Sequence, residues 1–538
     1  MIRSSLLGAA SALILSACTV GPNFKPPKPP AVAAWNDLSK HPDPAVSPRT
    51  NPDPNWWKNF GDPVLTQVID KAISGNLDLQ QAVLRVVEAR QAEINARAAG
   101  LPTVGGNASF MREQLGLKGL LLSQGVYGQL NTLANQGSPT YGISPTTGRA
   151  LSSGIEGALG PLEAPVNLYS YGLGASWELD LFGRVRRAAE QAQAMTEAQI
   201  DATNDALVML EGQVAQAYVQ LRGAQALLAS QQENVRTAQE ALDLTRRRAR
   251  EGLTTALDVD QAQTQLADYQ SQLPGYEKQA QQAMNMLSVL TGEPPGALDA
   301  MLSPDAPLPK VPNVVSIGVP STLARRRPDI RQAEAQLHAA TANVGVAVAS
   351  FYPDVSLTGN FGLRAVDASY LTNWASAFYS FGPGISLPIF QGGRLTAGLR
   401  AARAQQAGAA LRYRSVVLNA LREVEDALVA YRTDRTARDR LKQAVRSGQS
   451  ALYLSRDAYD HGLATFLQVL DAERTLVGSR QQLVQADVLL TNDVVALYGA
   501  LGGGWQDEPD ATTPPDVALK PPPLPGAADV VESKLPAP

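Results

Sequence analysis

The chain contains one strand-like segment twice, and this duplication limits its possible folds more than any other feature. Residues 170–184 read SYGLGASWELDLFGR and residues 380–394 read SFGPGISLPIFQGGR, an offset of 210 residues. In both copies large apolar residues alternate with Ser and Gly, which is the period of an extended strand with one apolar face. The apolar members are Tyr169, Tyr171, Leu173, Ala175 and Trp177 in the first copy, and Tyr379, Phe381, Ile385 and Leu387 in the second.

A very long helix is predicted after each copy. Apolar and small residues recur at spacings of three and four for about 65 residues after Arg184 and Arg394, which is typical of a coiled-coil seam. Such a helix is roughly 100 Å long, too long for a compact globule. The helices end at Gly252 and Gly462, which suit the left-handed position of a hairpin turn before a returning helix. Pro274 is expected to kink or break the first returning helix.

An earlier strand is predicted in each half, beginning at Pro102 in the first and after Pro353 in the second. These two prolines are 251 residues apart, whereas the later elements repeat at 210, so the first half has 41 additional residues between its strands. The additional residues lie within 111–168 and are rich in Gly, Ser, Thr and Leu. We interpret them as a long loop at the outer end of the strand pair.

The amino terminus has the pattern of an export signal. Arg3 is followed by a short apolar run, Leu6–Leu15, and by small residues up to Cys18, the only cysteine in the chain. Leu-Ser-Ala-Cys resembles a bacterial lipobox, in which Cys18 receives a covalent N-acyl diacylglycerol lipid, for example with palmitate chains. Thr19 after the cysteine favours the outer membrane by the same resemblance. The alternative is an ordinary signal peptide followed by an unmodified thiol.

Composition argues against several functions. A formal net charge of −4 does not suit a nucleic-acid surface. The three histidines, His41, His338 and His461, are too scattered for a metal cluster. No nucleophile–base pair, catalytic residue or phosphate loop is evident, so we predict that the chain is not an enzyme and needs no cofactor.

The strands predict an assembly. Two strands in each half give four per chain, and unpaired backbone groups in lipid cost several kcal/mol each. Because the smallest spanning barrels have about eight strands, one chain cannot close a barrel. Two copies give eight strands and a filled interior, whereas three give twelve and room for water. The Ser, Gly, Thr and Asn of the second strand face favour the water-filled interior, and we expect three copies.

With these features, the chain resembles the TolC-like outer-membrane efflux lipoproteins, specifically the OprM-type (NodT) branch. The resemblance is carried by the Cys18 lipobox, Trp56-Trp57 with Phe60 and Asp62-Pro63, the run LARRRPDIRQAE at 323–334, the two strand–Gly-Arg–helix junctions, and VLDA at 469–472.

The resemblance implies a mixed α and β membrane protein. Its fold would be a trimeric 12-stranded outer-membrane β-barrel, with four strands per chain, continued by a long periplasmic α-helical coiled-coil barrel. The implied function is a passive exit duct for drugs or toxic solutes in a Gram-negative outer membrane. The implied partners are a periplasmic adaptor (membrane fusion protein), an inner-membrane RND transporter and outer-membrane lipid. The alternatives are the channel of a type I protein secretion system and a periplasmic adaptor lipoprotein.

The resemblance also implies a gate at the periplasmic tip, at positions Asp258, Tyr459, Gln468 and Asp471. The spacing of Thr255 to Asp258 is that of a capping box, repeated at Gln468, so helix capping is an alternative role for both. For Asp471 the alternative is a solvated surface charge. The family arginine that completes the gate falls at Ala464, so the closing contacts must differ here.

The run Arg325–Arg327 is compatible with an anion site, but we interpret it as a solvated helix entrance with Pro328 at the first helical position. The predicted organisation is a signal peptide (1–17), a lipidated Pro-rich tether without a core of its own (18–54), periplasmic helices (55–101), two strands with a long outer loop (102–182), a helical hairpin (183–292), an equatorial link (293–327), a helix (328–351), two strands (352–392), a second hairpin (393–504) and a disordered tail (505–538).

Overall fold

The computed structural model describes residues 19–28, 32–114 and 116–506. The predictions for the signal peptide, for lipidation of Cys18 and for the tail from residue 507 onward lie outside the described residues. The chain divides into two compact units. The first comprises Asn95–Ala189 and Asn343–Arg400 with residues 19–22, and the second comprises the other described residues. In the described part of the chain, no helix combines the length and the apolar character needed to cross a membrane.

Long helices and one four-stranded sheet account for most of the ordered chain. The helices are α1 (Asn36–Lys40), α2 (Pro63–Gly75), α3 (Leu77–Ala98), α4 (Leu117–Ser123), α5 (Val126–Gln136), α6 (Pro145–Glu163), α7 (Arg184–Arg250), α8 (Ala256–Leu290), α9 (Asp299–Leu302), α10 (Leu323–Arg326), α11 (Pro328–Ala349), α12 (Arg394–Asp460) and α13 (Phe466–Ala500). The strands are β1 (Val46–Ser47), β2 (Thr103–Glu113), β3 (Val166–Leu179), β4 (Val315–Ser316), β5 (Asp354–Ala365) and β6 (Ala377–Ser386).

The first unit contains an antiparallel sheet in the order β2-β3-β5-β6, which confirms the prediction of four strands. The register pairs Leu173 with Phe361 and Ser176 with Thr358. Directly opposite residues lie on the same face of a sheet, so most large apolar residues of the four strands share one face and most small polar residues share the other. In the described residues, β2 and β6 each pair along one side only and so form the two edges of the sheet.

The prediction of a long loop between the first two strands is wrong, because this insertion contains the three helices α4, α5 and α6. The Ser144 hydroxyl caps α6 by accepting from the Thr147 N–H at 3.2 Å. Gly148 of α6 lies so close to the Leu133 carbonyl of α5 that a Cβ there would be 2.1 Å from that oxygen. α5 and α6 thus approach each other closely at Gly148, and Leu130 of α5 is buried.

The two helical hairpins repeat residue for residue. Helices α7 and α12 each have 67 residues, α8 and α13 each have 35, and corresponding ends are offset by 210. These lengths agree with the predicted helix of about 65 residues. Of the predicted kink or break at Pro274, the break does not occur, since α8 continues through this residue as one helix.

The second unit has a large apolar core that includes part of the predicted tether. Trp35 is 2% exposed, and its indole N–H donates to the Gly318 carbonyl at 2.9 Å. Strand β1 pairs in parallel with β4 through Val46 and Val315, and Asp37 forms a salt bridge with Arg432 at 3.1 Å. The prediction that residues 18–54 form only a tether is therefore wrong for residues 35–47. Those from 19 to 28 have no helix or strand.

The Arg325–Arg327 run is only partly the solvated helix entrance that was predicted. Pro328 is the first residue of α11, as predicted, and Arg325 is exposed. Arg327 is buried, with salt bridges to Asp329 and Glu423 that are each 2.8 Å long. The prediction of a solvated Arg327 is wrong because Glu423, on a helix distant in sequence, supplies a carboxylate for its guanidinium.

Candidate functional site at the hairpin ends

Both hairpins turn through the same backbone geometry in the second unit. Gly252 and Gly462 have φ values of 74° and 73°, in the left-handed region that favours glycine. The next residue closes each turn: Leu253 N–H donates to the Arg248 carbonyl and Leu463 N–H to the Ala458 carbonyl, both at 2.8 Å. In each turn this hydrogen bond runs to the carbonyl five residues earlier. It satisfies a carbonyl at the helix end, and it gives the two turns the same form.

Two of the four predicted gate residues cap the returning helices. The Asp258 N–H donates to the Thr255 hydroxyl at 3.4 Å, and the Asp258 carboxylate accepts from the Thr255 N–H at 3.5 Å and from the Thr254 hydroxyl. Gln468 accepts from the Thr465 N–H at 3.0 Å in the matching capping box. Capping therefore accounts for the contacts that Asp258 and Gln468 make.

An apolar cluster joins the two hairpins just behind their turns. We call it the tip cluster; its buried members are Ala238, Leu242, Ala262, Leu266, Tyr269, Tyr459, Phe466, Val469, Leu470 and Val477. All four long helices contribute to it, and the rings of Tyr459 and Phe466 lie 5.6 Å apart. Since a buried Leu or Phe contributes roughly 1.5–3 kcal/mol, the tip cluster is the main attraction between the hairpins at this end.

Arg248 links the first hairpin to the second through Tyr459. Its Nη1 donates to the Tyr459 carbonyl at 2.8 Å, and its guanidinium carbon lies 4.4 Å from the centre of the Tyr459 ring. Tyr459 is 7% exposed, and its hydroxyl is buried without a hydrogen-bond partner among the described residues. One arginine thus holds the last turn of α12 both through the backbone and through the ring face.

Two further polar links join the returning helices α8 and α13. Arg474 Nε donates to the Gln265 Oε1 at 2.6 Å, and Gln481 donates to the Tyr276 hydroxyl at 3.2 Å. Gln265 is buried, whereas Arg474 is exposed. Gln265 and Arg474 lie within the length of the tip cluster, whereas Tyr276 and Gln481 lie farther from the turns than its last members.

A buried carboxylate, Glu473, lies beside Arg474. It is 3% exposed, its Oε2 is 3.5 Å from Arg456 Nη2, and its Oε1 has no hydrogen-bond partner in the described ranges. Burial raises the pKa of Glu473, and the nearby Arg456 charge partly offsets that rise. Burial, with a smaller contribution from the Glu473 charge, also raises the pKa of Tyr269. Glu473 is therefore the titratable group that the tip region has buried most deeply.

The remaining predicted gate position, Asp471, is exposed. It has no hydrogen bond or salt bridge with any residue in the described part of the chain. Ala464, where the family arginine was expected, packs against the tip cluster instead. Across the described ranges, no group of three or more His, Cys, Asp or Glu side chains is placed to hold a metal ion.

Four leucines project from the turns and were not predicted as functional. Leu253 and Leu257 of the first hairpin are both 64% exposed, and their equivalents Leu463 and Leu467 are 84% and 59% exposed. The 210-residue repeat, which relates them in pairs, was the available signal. Arg248 had no such signal, because its equivalent is Ala458.

Comparison with known proteins identifies the family. The family described as outer membrane efflux protein (OEP) matches residues 68–293 and 319–503, more than half of the chain. The chain belongs to this family. Its members are outer-membrane efflux channels and not enzymes. The chain is 32% identical, over 516 residues, to the probable efflux pump outer membrane protein TtgC of Pseudomonas putida, covering 94% of this chain and 97% of TtgC.

Solved structures show the same fold. The outer-membrane channel OprN has a TM-score of 0.77 and 33% identity, with coverage of 91% of this chain and 100% of OprN. The open state of the MtrE outer membrane channel of Neisseria gonorrhoeae has a TM-score of 0.73 and 28% identity, covering 91% of this chain and 99% of MtrE. The combination of long helices with a four-stranded sheet is thus the TolC-like fold.

Proposed function

We propose that this chain forms, as a homotrimer, the exit duct of a tripartite efflux pump in the outer membrane of a Gram-negative bacterium. One observation carries the proposal: a four-stranded sheet with a continuous apolar face and two unpaired edges, followed in each half by a 67-residue helix. The apolar face suits lipid and the Ser, Gly, Thr and Asn face suits water. Transport through such a duct is passive, since energy is supplied by the partner pump.

Three copies are the smallest number that gives a water-filled barrel. In lipid the unpaired N–H and C=O groups of β2 and β6 need partners, because each unpaired group costs several kcal/mol. Two chains would supply eight strands, whose interior fills with side chains, whereas three supply twelve. Since polar residues such as Ser176 and Asn360 share the second face of the sheet, the wider barrel fits better. The helical hairpins of the three chains would line its periplasmic section.

Lipidation of Cys18 would add an anchor at a fixed place. Val20 N–H donates to the Phe182 carbonyl at 3.2 Å, just after β3, and Arg187 Nε donates to the Val20 carbonyl at 3.3 Å. Gly21 packs so closely on Gly345 that a Cβ would lie 2.6 Å from the Gly345 Cα. Lipid on Cys18 would therefore enter the membrane beside the end of the strands, where it supports anchoring without spanning.

The gate in this proposal is the set of contacts between the two hairpins at their turns. Arg248 with Tyr459 would close it, together with Gln265–Arg474 and Tyr276–Gln481. Three polar links of about 1 kcal/mol each would hold the closed state without fixing it permanently. Complete opening of such a two-state element needs about 5.5 kcal/mol of preferential binding by a partner. Asp471, exposed near the turns, would contribute a ring of three carboxylates that favours cations.

The partner that opens this gate would dock on the exposed leucines. Leu253, Leu257, Leu463 and Leu467 give each chain two apolar projections at equivalent turns. Exposed apolar groups in a repeated arrangement are typical of a protein-binding surface. A periplasmic adaptor with its own helical hairpins offers an amphipathic helix face for such anchors. The adaptor would in turn connect the duct to an inner-membrane RND transporter.

The solutes would be antibiotics, solvents or similar toxic compounds. Relatives are named for toluene efflux and for antibiotic efflux in Pseudomonas putida, and these names support the solute classes proposed here. The pump, which selects the solute, would decide among them.

Deletion of the gene tests the proposal directly. We expect increased sensitivity to several antibiotics or solvents, restored by the wild-type chain, because the exit pathway is lost. A chain with Leu253→Asp and Leu463→Asp should fold but fail to restore resistance, because charge on both turns prevents apolar docking. Unchanged sensitivity to a broad panel, with the partner pump expressed, would contradict the proposal, and loss of an exported protein instead would favour a secretion channel.

A further inference from the structure

We infer that β6 pairs with β2 of a neighbouring copy, in one register that the internal repeat determines. The inference rests on the homotrimer proposed above and adds which residues of the two chains face each other. Within the chain, the last strand of the first half, β3, pairs with the first strand of the second half, β5. Around a closed ring, the last strand of the second half, β6, meets the first strand of the next chain, β2.

The two offsets of the repeat convert the observed register into the expected one. In the observed pair Ser176↔Thr358, adding 210 to the first number gives Ser386, and subtracting 251 from the second gives Asn107. Ser386 is therefore expected opposite Asn107 of the next chain. By the same step Leu179↔Val355 becomes Ile389 opposite Val104, and Ser170↔Arg364 becomes Ser380 opposite Glu113.

β6 is shorter than β3, its equivalent in the first half, and the inferred pairing explains the difference. β3 continues to Leu179, although its pairing with β2 stops at Ser176, because β5 holds the last residues from the other side. The equivalent residues 387–389 follow the end of β6 at Ser386, and among the described residues of one chain no strand lies on that side. Ile389 is 91% exposed and Phe390 is 86% exposed. The neighbouring β2 would supply the missing support.

The faces of the two edges match in this register. Ile385 lies opposite Ala108, and both are on the apolar face of their own sheets. Ile389 continues the alternation of Ile385 beyond the end of β6 and lies opposite Val104, which is also on the apolar face. Ser386 lies opposite Asn107 on the polar face. A shift by one residue would place apolar side chains of one chain on the polar face of the other, so the lipid-facing surface would be interrupted at every junction.

A glycine on the edge strand gives independent support. At Gly172 an added Cβ would lie 2.5 Å from the Phe361 carbonyl oxygen and 2.8 Å from the Gly362 Cα, so the close β3–β5 approach requires glycine. The equivalent residue, Gly382, has nothing within 4 Å of such a Cβ in one chain. The register places it opposite Met111 of the neighbour, beside the Phe110 carbonyl. Close contact with the neighbouring copy, which is absent in the single chain, thus explains why residue 382 is glycine.

Two rungs of the junction are expected to be weak. Pro383 and Pro388 have no N–H to donate and lie opposite Phe110 and Gly105 in this register. Test positions are therefore better chosen away from them, at Ser386 with Asn107 and at Ser380 with Glu113. Their side chains lie on the polar face, away from lipid. Directly opposite Cβ atoms are about 4.5–5.5 Å apart, close enough for a disulfide after small adjustment.

Cysteine pairs test the register with a matched control. Ser386→Cys with Asn107→Cys, and Ser380→Cys with Glu113→Cys, should each give a covalent trimer upon oxidation in the outer membrane. The crossed combinations, Ser386→Cys with Glu113→Cys and Ser380→Cys with Asn107→Cys, use the same four substitutions displaced by six residues, about 20 Å along a strand. They should give none. The unsubstituted chain controls for Cys18, its only cysteine.

The outcomes separate this inference from the trimer on which it rests. A chain that is trimeric by native mass but links only in crossed pairs, or only between Ser386→Cys and Ser109→Cys, would overturn the register and leave the proposed function intact. A trimer that links in no pair would overturn the strand junction alone. A single-chain mass would overturn both.

Gly382→Ala provides a second readout. The substitution should leave the single chain able to form its sheet but lower the dissociation temperature of the detergent-solubilised trimer by about 10 °C or more, because the added methyl meets the neighbouring β2. An unchanged dissociation temperature would contradict the predicted pairing at that rung.

Discussion

The two helical hairpins have the same length but different polar contacts at equivalent positions. In the first, Arg246 Nη2 donates to Gln263 Oε1 at 2.7 Å, and both side chains are exposed. In the second, 210 residues later, Arg456 Nη2 lies 3.5 Å from the Oε2 of Glu473, which is buried. The repeat preserves the helices, the turns and the arginine. The partner of this arginine differs: it is an exposed, neutral glutamine in the first hairpin and a buried carboxylate in the second.

The contact between Arg248 and Tyr459 also has no counterpart at the equivalent positions of the repeat. Arg248 of the first hairpin holds Tyr459 of the second, whereas the equivalents of these two residues are Ala458 and Ala249. A duplicated backbone therefore sets where the turns lie, and individual side chains decide how the two hairpins are joined. The following substitutions test these differences, beginning with the largest expected effect.

Gly172→Ala should prevent the first half from joining the second in the sheet. The added Cβ would meet backbone atoms of β5 at 2.5 and 2.8 Å, and backbone cannot move aside as a side chain can. We expect the amount of folded chain in the outer membrane to fall by about tenfold or more. Gly359→Ala on the neighbouring strand is the control, since its nearest contact would be at 3.9 Å. Similar amounts of both variants would contradict the close approach of β3 and β5.

Arg248→Ala should weaken closure of the tip more than any change at its equivalent, Ala458. It removes a hydrogen bond and a ring contact, about 1–3 kcal/mol together, which corresponds to roughly a 5- to 150-fold increase in the open-to-closed ratio. The measurement is open probability in planar bilayers.

Arg247→Ala is the matched control for that variant, because it removes an exposed arginine from the same turn. Tyr459→Ala should open the channel like Arg248→Ala, since it removes the ring that the guanidinium covers. If neither Arg248→Ala nor Tyr459→Ala altered conductance, these residues would have no role in the gate.

Glu473→Gln should make the second hairpin resemble the first and remove one pH dependence. Burial raises the pKa of Glu473 above its ordinary 4.5, so the folded chain binds this proton more tightly than the unfolded chain. Its contribution to the free energy of unfolding is therefore most favourable below pH 4.5 and decreases as pH rises through the raised pKa. The variant should lack this decrease and differ from wild type by about 1 kcal/mol or less at low pH.

Thermal unfolding between pH 4 and 8 measures this difference. Burial also raises the pKa of Asp201 and of Asp205 to about 6, so the wild-type curve alone reports several groups. Subtracting the curve of Glu473→Gln isolates the one residue. Parallel curves over the whole range would show that Glu473 does not titrate in the folded hairpin.

The smallest effects should come from the two caps. Thr255→Ala and Thr465→Ala each remove a capping hydroxyl, for an expected loss of about 1 kcal/mol in the stability of the hairpin end. Because both turns have the same geometry, the two losses should be equal within about 0.5 kcal/mol. A clearly larger loss at Thr255 would show that the additional Thr254–Asp258 hydrogen bond depends on the cap.

The backbone of this chain was largely predictable because the sequence contains the same order of elements twice. Gly252 with Gly462, and Thr255 with Thr465, locate the turns, and the alternation around Leu173 and Phe381 locates the sheet faces. The helices of the insertion were missed because the segment is rich in Gly, Ser and Thr, which is typical of loops, although Val126, Leu130 and Leu133 have a helical spacing. Pro274 predicted a kink or a break, and α8 is continuous through it.

The contacts of the candidate site were much less predictable. Arg248 and Tyr459 are 211 residues apart, and nothing in either local segment indicates the other. Arg327 was expected in solvent because Glu423, its salt-bridge partner, lies on a distant helix. Repetition therefore predicts where elements begin and end, whereas pairing between unlike positions of the two copies requires the three-dimensional structure.

Native mass measurement of the full-length protein, extracted in mild detergent from the outer membrane, tests the central claim most directly. The claim is that the four-stranded sheet of one chain is an incomplete barrel wall. We predict a species of three chains that persists upon dilution, since the strand edges in lipid have no other partners. A monodisperse single chain that still restores efflux would contradict the claim.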